Sequence, residues 1–428
     1  MARIVLNTFG SLGDLHPYLA TAVELRKRGH DSVIATSEVY REKIIAEGVG
    51  FAPVRPDVGL IVEDLDFIKR LWHPRRGTEV LLRDYLIPQV EDSYEDLHNA
   101  CRSADLLLTH SAGLAGPIVA EVLKLPWLSV ALQPIVFFST YDPPVIAGLE
   151  WARHFYPFAA GVFQALMGMA RLRLKRWAAP VQRLRRRLGV AAWKSDLLVN
   201  TFSPFGTLAL FSKLFATPQP DWPPNTHVTG FVYYDHLGPL PGAHEDDPSE
   251  LDGFLRGGPA PVVFTLGSSV VMNPGDFFRE SIVAVHALGL RAVLLAGPRR
   301  QEIHNPLPES ILVSGYVPFS SIMPHAAAIV HQGGIGTTAQ ALRAGRPMLV
   351  SPWSHDQPDN AERLRRLGVA RTIPRNRYYA PRVTNELRAL LTEASYDQRA
   401  GEIASNIARE DGVSAACDVI DAALSPLR

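Results

Sequence analysis

Apolar residues in this chain fall into short continuous runs separated by longer stretches with helical spacing. Residues 3–8 form an apolar, β-branched run, 9–16 a Gly-containing turn, and 17–28 a helix-forming stretch. Pro17 suits a first helical turn, and Gly29 ends the stretch. Residues 31–36 read as a second strand. Residues 105–109 and 127–131 read as later strands, each preceded by a helical segment. Residues 238–258, rich in Pro, Gly and acidic side chains, read as a linker. A second series follows, with strands at 261–266, 292–296, 311–314, 328–331 and 348–351 and a helix at 277–288. Such alternation predicts α/β architecture: two doubly wound domains, each a parallel sheet with helices on both faces. The expected divisions are 1–225, a linker at 226–258, a second domain at 259–405, and a C-terminal helix at 406–428 packing back toward the first domain.

The middle of the first half breaks this rhythm. Residues 135–222 are rich in aromatics, Pro and Arg, and 171–189 hold eight basic residues and no acidic one. Trp177, Val181, Leu184 and Leu188 give one apolar stripe at helical spacing. The expected element is an amphipathic helix with a solvated basic face, and such a face is also compatible with peripheral contact to an anionic membrane. Residues 155–170 are uncharged but short for a bilayer crossing and broken by Pro157. Lys+Arg and Asp+Glu both number 43, and this balance argues against a nucleic-acid binder. With only Cys101 and Cys417, no disulfide framework or zinc spacing is expected. The N-terminus runs straight into a strand without a signal-peptide pattern, so a cytoplasmic location is expected.

The strongest chemical signal is His331-Gln332-Gly333-Gly334-Ile335-Gly336-Thr337-Thr338, between an apolar strand and a helix-forming run. A strand, a Gly-rich turn and a helix N-terminus together make an anion site of converging backbone N–H groups. Glycines allow phosphates close approach, and His331 and Thr337 add side-chain donors, as a diphosphate held without metal requires. The turn lacks the Lys-Ser/Thr ending of a P-loop and does not match G-x-G-x-x-G. Further on, Ser351-Pro352-Trp353-Ser354-His355-Asp356-Gln357-Pro358-Asp359-Asn360 follows a strand at its C-terminal edge, where open α/β sheets bind ligands. Asp356 and Gln357 offer the acceptors and donors that bridge neighbouring ring hydroxyls.

Residues 315–360 resemble the donor-binding signature of the nucleotide-sugar-dependent glycosyltransferases of family 1. Phe9-Gly10-Ser11-Leu12-Gly13-Asp14 is similar to the bacterial sterol and antibiotic branch. Pro220-Asp221-Trp222-Pro223 with His227-Val228-Thr229-Gly230 resembles the sterol and rhamnolipid branches. The resemblance spans the chain. It implies the GT-B fold, two Rossmann-like domains facing each other across a cleft. It also implies inverting transfer of a hexose from a UDP- or dTDP-sugar to a hydroxyl of an apolar acceptor, such as a sterol, triterpenoid, phenolic or hydroxyacyl lipid. No cofactor or metal is implied beyond the nucleotide-sugar co-substrate, and monomer and homodimer both stay open.

The resemblance also assigns residues. His331, Gly333, Gly334, Gly336 and Thr337 should hold the diphosphate, with Gly267, Ser268 and Gly13 facing it. Asp356 and Gln357 should grip the sugar. Tyr316 and Val317 fall at the base-contacting position, where many relatives carry Trp, and Gln340 falls where many uridine-using relatives carry a ribose-binding Glu. Asp14 aligns with the bacterial catalytic Asp, and His16 is the second candidate base. The physics leaves the choice open: an ordinary Asp is poorly matched to a hydroxyl at neutral pH, a His better, and burial can raise an Asp. Plant relatives pair a loop His with a buried Asp near the strand at 106–109. Here His110 and Ser111 stand there, so that dyad is expected to be missing, and His110 is a pocket candidate. Phe137, Phe138, Trp151, Phe155, Phe158, Phe163 and Met167 are the acceptor-lining candidates. Two alternatives remain, an epimerase on the same fold and a non-catalytic nucleotide-sugar binder.

Overall fold

The computed structural model describes residues 1–59, 64–151, 160–193, 197–235, 248–303 and 306–425. The chain divides into two compact units. The first comprises Met1–Leu71, Arg75–Tyr234 and Glu410–Arg428, and the second Trp72–Pro74 and Asp235–Arg409.

The first unit holds a seven-stranded sheet of β1 (Arg3–Asn7), β2 (Asp31–Thr36), β3 (Gly50–Pro53), β4 (Leu106–His110), β5 (Trp127–Ala131), β6 (Thr207–Ala209) and β7 (Thr226–Val228), in the order 3-2-1-4-5-6-7. The second holds β8 (Val262–Thr265), β9 (Ala292–Leu295), β10 (Ile311–Ser314), β11 (Ala328–His331), β12 (Met348–Val350) and β13 (Ala370–Thr372), in the order 10-9-8-11-12-13. Every strand pairing is parallel. Strands buried on both faces need apolar residues at successive positions, which is why the sites were visible as continuous runs. In each sheet the order reverses beside the first strand, at β1/β4 and at β8/β11. Loops leaving the carboxyl ends of such strand pairs diverge and leave a crevice.

Three sequence expectations need correction. The first helix begins at Leu12, not Pro17, so Asp14 and His16 lie in its opening turns and Pro17 lies inside it. The cause is local: the Asp14 carboxylate folds back to accept the Ser11 N–H at 2.9 Å, satisfying an amide that a helix start leaves open. The stretch 226–258 is not all linker. Thr226–Val228 is the edge strand β7, and Pro248–Arg256 is a helix. Three residues of mixed exposure give no readable periodicity, and the acidic start of the helix resembles a loop in composition. The basic stretch is two helices, Ala160–Trp177 and Ala179–Arg187. Val181 and Leu184 are fully buried, as their spacing requires, but so is Arg185. Its guanidinium donates to Ala191 O at 2.7 Å, pairs with Glu121 and lies over the Trp193 ring, which removes it from the solvated face.

The helix Gly412–Leu424 belongs to the first unit. Asp418 and Asp421 pair with Arg28 at 2.6 and 3.0 Å, and Asp421 meets His30 Nε2 at 2.8 Å. Cys101 and Cys417 are free and buried. No described helix is long and apolar enough to cross a membrane.

Candidate functional site

Two constellations stand at the two sheet reversals, one in each unit. In the second unit, the turn after β11 places His331 with no exposed surface. Its Nδ1 accepts the Gly333 N–H at 3.1 Å. A neutral ring with Nδ1 accepting carries its proton on Nε2. Burial pushes the ring down to about 3, so it is neutral throughout the physiological range. Nε2 is buried and has no hydrogen-bond partner among the described residues. A buried N–H left open costs about 1–3 kcal/mol, and such a group in a native fold calls for an explanation.

The surroundings suit an anion. Gly334 caps the helix Ile335–Ala344, whose first turn carries Gly336 and Thr337. Gly333 has φ +89°, and a Cβ there would lie 3.0 Å from Val350 and 3.1 Å from the Gln357 carbonyl. Gly267, at the end of β8, has φ +65°, and a Cβ there would lie 2.5 Å from the Gln332 amide. Gln332 in turn donates to Thr337 Oγ1 at 3.5 Å. Ser268 follows in the same short helical turn, Gly267–Val270.

The loop after β12 is tied to this turn by a residue not singled out from sequence. Asn360 Nδ2 donates to Gly333 O at 2.9 Å and to Asp356 Oδ2 at 2.6 Å. The signal was available, because Asn360 is four residues past Asp356 and so shares its helix face. Gln357 Oε1 accepts the Trp353 N–H at 2.8 Å, which leaves its –NH2 as the group able to donate to a ligand. His355 sits at φ +58°, uncommon for a non-glycine residue. Its ring meets Trp72 edge-on at 5.0 Å, Ser354 Oγ donates to His73 O at 3.2 Å, and Arg375 lies over the Trp353 ring. Trp72 and His73 were not identified from sequence, since nothing local relates positions 281 residues apart. Gln340 donates to Asp235 Oδ1 at 2.9 Å, and Arg343 pairs with the same carboxylate. Val317 is buried and Tyr316 half-buried. Burial, with Asp235 nearby, raises the Tyr316 hydroxyl pKa.

In the first unit, Asp14 sits where the loops after β1 and β4 diverge. Its Oδ2 accepts from Ser11 N at 2.9 Å and from Ser11 Oγ at 3.3 Å. Burial raises the carboxyl to about 6, against the opposing pull of those Ser11 hydrogen bonds. Gly10 has φ +117°, and a Cβ there would overlap the Asp14 carboxylate. Gly10→Ala should therefore cost about 1–3 kcal/mol, through strain and displacement of that carboxylate. The check is the urea midpoint, and an unchanged midpoint would mean that neither the backbone strain nor the displacement of the carboxylate is felt. His16 packs against Tyr234 with ring centroids 4.9 Å apart. Gly13 lies in the first helical turn. His110 is buried at the end of β4, with Nε2 3.9 Å from Asp14 Oδ1. The loop-His/strand-Asp pair is absent at these positions, and the same two residue types meet in reversed order.

The described acceptor candidates differ in burial. Phe137 is a core residue, stacked on Trp222 at 4.3 Å and Phe202 at 5.5 Å. Phe163 and Met167 are buried on the helix Ala160–Trp177, Trp151 is exposed, and Phe138 is half-buried at φ +46°. Phe155 and Phe158 lie outside the described residues. A small pocket adjoins His110, lined by Phe9, Leu86, Val90 and Leu114 together with polar Asn7, Arg55 and Ser93.

Residues 4–134 match the family model of the glycosyltransferase family 28 N-terminal domain, and residues 284–415 that of the erythromycin biosynthesis protein CIII-like C-terminal domain. The chain is 31% identical over 98% of its length to O-mycaminosyltylonolide 6-deoxyallosyltransferase of Streptomyces fradiae, covering 97% of that protein. It is 27% identical over 98% of its length to a sterol 3-beta-glucosyltransferase of Aspergillus fumigatus, of which it spans 29%. The solved structure of the glycosyltransferase VinC in complex with dTDP matches with a TM-score of 0.64 at 22% identity, covering 98% of this chain and 99% of that one. At that identity the likeness shows the fold.

Proposed function

Because the chain belongs to the family 1 nucleotide-sugar glycosyltransferases and has their two-Rossmann GT-B fold, we propose that it transfers a hexose with inversion from a UDP- or dTDP-sugar to a hydroxyl of an apolar small molecule. The observation that carries this reading is the buried, open Nε2–H of His331 at a Gly-rich strand-to-helix turn. A diphosphate oxygen there would complete the hydrogen bond, and the helix N-terminus would favour its charge. Thr337 adds a hydroxyl, with Gly267 and Gly333 leaving room for close approach. Asp356, held by Asn360, and the Gln357 –NH2 are suited to the sugar hydroxyls.

The step is a single displacement. The acceptor oxygen bonds to the anomeric carbon as the bond from that carbon to the diphosphate breaks, and the electron pair leaves on the diphosphate oxygen. Asp14 takes the acceptor's proton. A carboxyl raised to about 6 is ionised at neutral pH yet more basic than an ordinary Asp, a better match to the task. His16, on the same helix and packed against Tyr234, is the second candidate. The sterol acceptor named for one of the relatives is of the apolar class proposed here.

Between the nucleotides, dTDP is preferred. Gln340 commits its amide nitrogen to Asp235, and its carbonyl is a weaker partner for a ribose diol than a carboxylate. VinC holds dTDP. A thermal-shift screen with UDP, dTDP and their glucose esters tests the reading. A ligand at 100 times its dissociation constant adds about 2.7 kcal/mol of stability, with dTDP forms binding more tightly. No stabilisation by either diphosphate up to millimolar concentration would overturn it. Transfer should persist in EDTA. An epimerase would convert the donor without an acceptor, and a non-catalytic binder would bind it unchanged.

A further inference from the structure

We propose that His110 is a positioning residue for Asp14, donating from Nε2 to Oδ1 in the loaded enzyme and so holding the carboxylate toward the acceptor. The inference rests on Asp14 as the base. Three observations carry it. The ring's tautomer is set, since Nδ1 accepts the Ala112 N–H at 3.1 Å and the proton must then lie on Nε2. That N–H is buried and without a hydrogen-bond partner among the described residues. Its neighbouring acceptor is Asp14 Oδ1 at 3.9 Å, too long for a hydrogen bond and too short to seat a water on the line between them. Catalytic hydrogen bonds are often long without substrate and tighten in the complex.

The surroundings leave the ring little else to do. Phe9 meets it edge-on at 5.7 Å, and Tyr18 lies at 6.5 Å between centroids. Strand pairing sets its origin: Thr109 is in register with Asn7, so His110 and the loop leaving β1 start side by side. Asp14 is anchored through Oδ2 to Ser11, which frees Oδ1 to swing toward His110. The titratable groups around Asp14 are Tyr18 on its own helix, Tyr40 after β2, whose hydroxyl donates to Gly10 O, and His110. No Lys or Arg among the described residues contributes to the Asp14 shift. Burial lowers His110 to about 4, and its Nδ1 is already occupied, so it acts as a neutral donor and does not receive the acceptor's proton.

A donor to the charged carboxylate lowers its pKa. His110→Phe should therefore move the acid limb of kcat upward by about one pH unit and lower kcat about 10–100-fold at its plateau, with donor KM unchanged. His110→Gln, whose amide nitrogen reaches the Nε2 position, should restore both, and His110→Asn should not. The assay uses dTDP-glucose and UDP-glucose with 4-methylumbelliferone as probe acceptor. Carbon-13 NMR titration of the Asp14 carboxyl in the presence of dTDP or UDP reports the same shift without turnover. Should His110→Phe fail to fold, the Gln/Asn contrast carries the test. An unmoved acid limb and a kcat within twofold of the parent in both the Phe and Asn variants would overturn the proposal while leaving Asp14 as base. A near-parent kcat for Asp14→Asn would instead remove the reading on which it rests. In an Asp14→Asn background the His110→Phe effect should vanish, and a full additive loss there would also overturn the positioning role.

Discussion

Replacing Asp14 by Asn is expected to lower kcat by about 10²–10⁴ while leaving the dissociation constant of UDP or dTDP unchanged, the usual worth of a general base. The same substitution should make the protein more stable. The Asp14 carboxyl sits at about 6 in the folded chain against an ordinary 3.8, because burial disfavours its charge. Between those values the unfolded chain has released its proton and the folded chain has kept it. Stability therefore falls as pH rises from about 4 to about 6 and levels off above. Two pH units correspond to about 3 kcal/mol at most. Asn carries no charge to desolvate and can still accept the Ser11 N–H. Its thermal midpoint should exceed the parent's above pH 6 and converge with it near pH 4. Loss of activity together with gain of stability separates a functional carboxylate from one that merely caps a helix, whose removal would lower stability. A variant both inactive and less stable at pH 8 would favour the capping role.

That double outcome reflects what could be read from the chain and what could not. The runs at 31–36, 127–131 and 328–331 became strands because burial on both faces favours apolar residues at successive positions, and Ser32 and Ser129 among them are buried with hydrogen bonds to Ala22 O and Thr207. The strand-to-helix turn at His331 was legible because an apolar run, closely spaced glycines and a helix-forming run follow one another there. Asp14 is a candidate by the loop it stands in, yet its helix starts earlier than the sequence suggests. The Ser11–Asp14 cap that begins it is a side-chain geometry, and Pro17 offered a more conspicuous start. The pairing of Asp14 with His110 had no local signature. It arises because β1 and β4 are neighbours at the sheet reversal, and order along the chain does not reveal adjacency across it. For the same reason Trp72 and His73 went unseen against His355 and Ser354. Phe137 shows why aromatic residues are hard to place from a sequence: it stacks on Trp222 in a core, and the chain alone does not tell a ring that lines a cavity from one that fills it.

His331→Asn should raise the dissociation constant of UDP-glucose and dTDP-glucose about 10–100-fold. Asn places a carbonyl oxygen near the Nδ1 position, so the Gly333 N–H keeps an acceptor and the turn keeps its shape. What disappears is the Nε2–H, and a hydrogen bond to a charged group is worth about 1.5–3 kcal/mol, one to two powers of ten in affinity. The free protein should not suffer equally, because that N–H is buried without a partner among the described residues before the ligand arrives. Isothermal titration gives the affinities and thermal melting without ligand gives the stabilities. The pH dependence adds a second check. Burial lowers His331 to about 3, so the ring binds as a neutral donor, and affinity for UDP-glucose, whose diphosphate does not titrate there, should be flat between pH 6 and 8. A tenfold gain per unit of acidification would mean that the ring binds as a cation. Parent-like affinity in His331→Asn would mean that the diphosphate lies elsewhere, since no ligand completing that hydrogen bond could be indifferent to its loss.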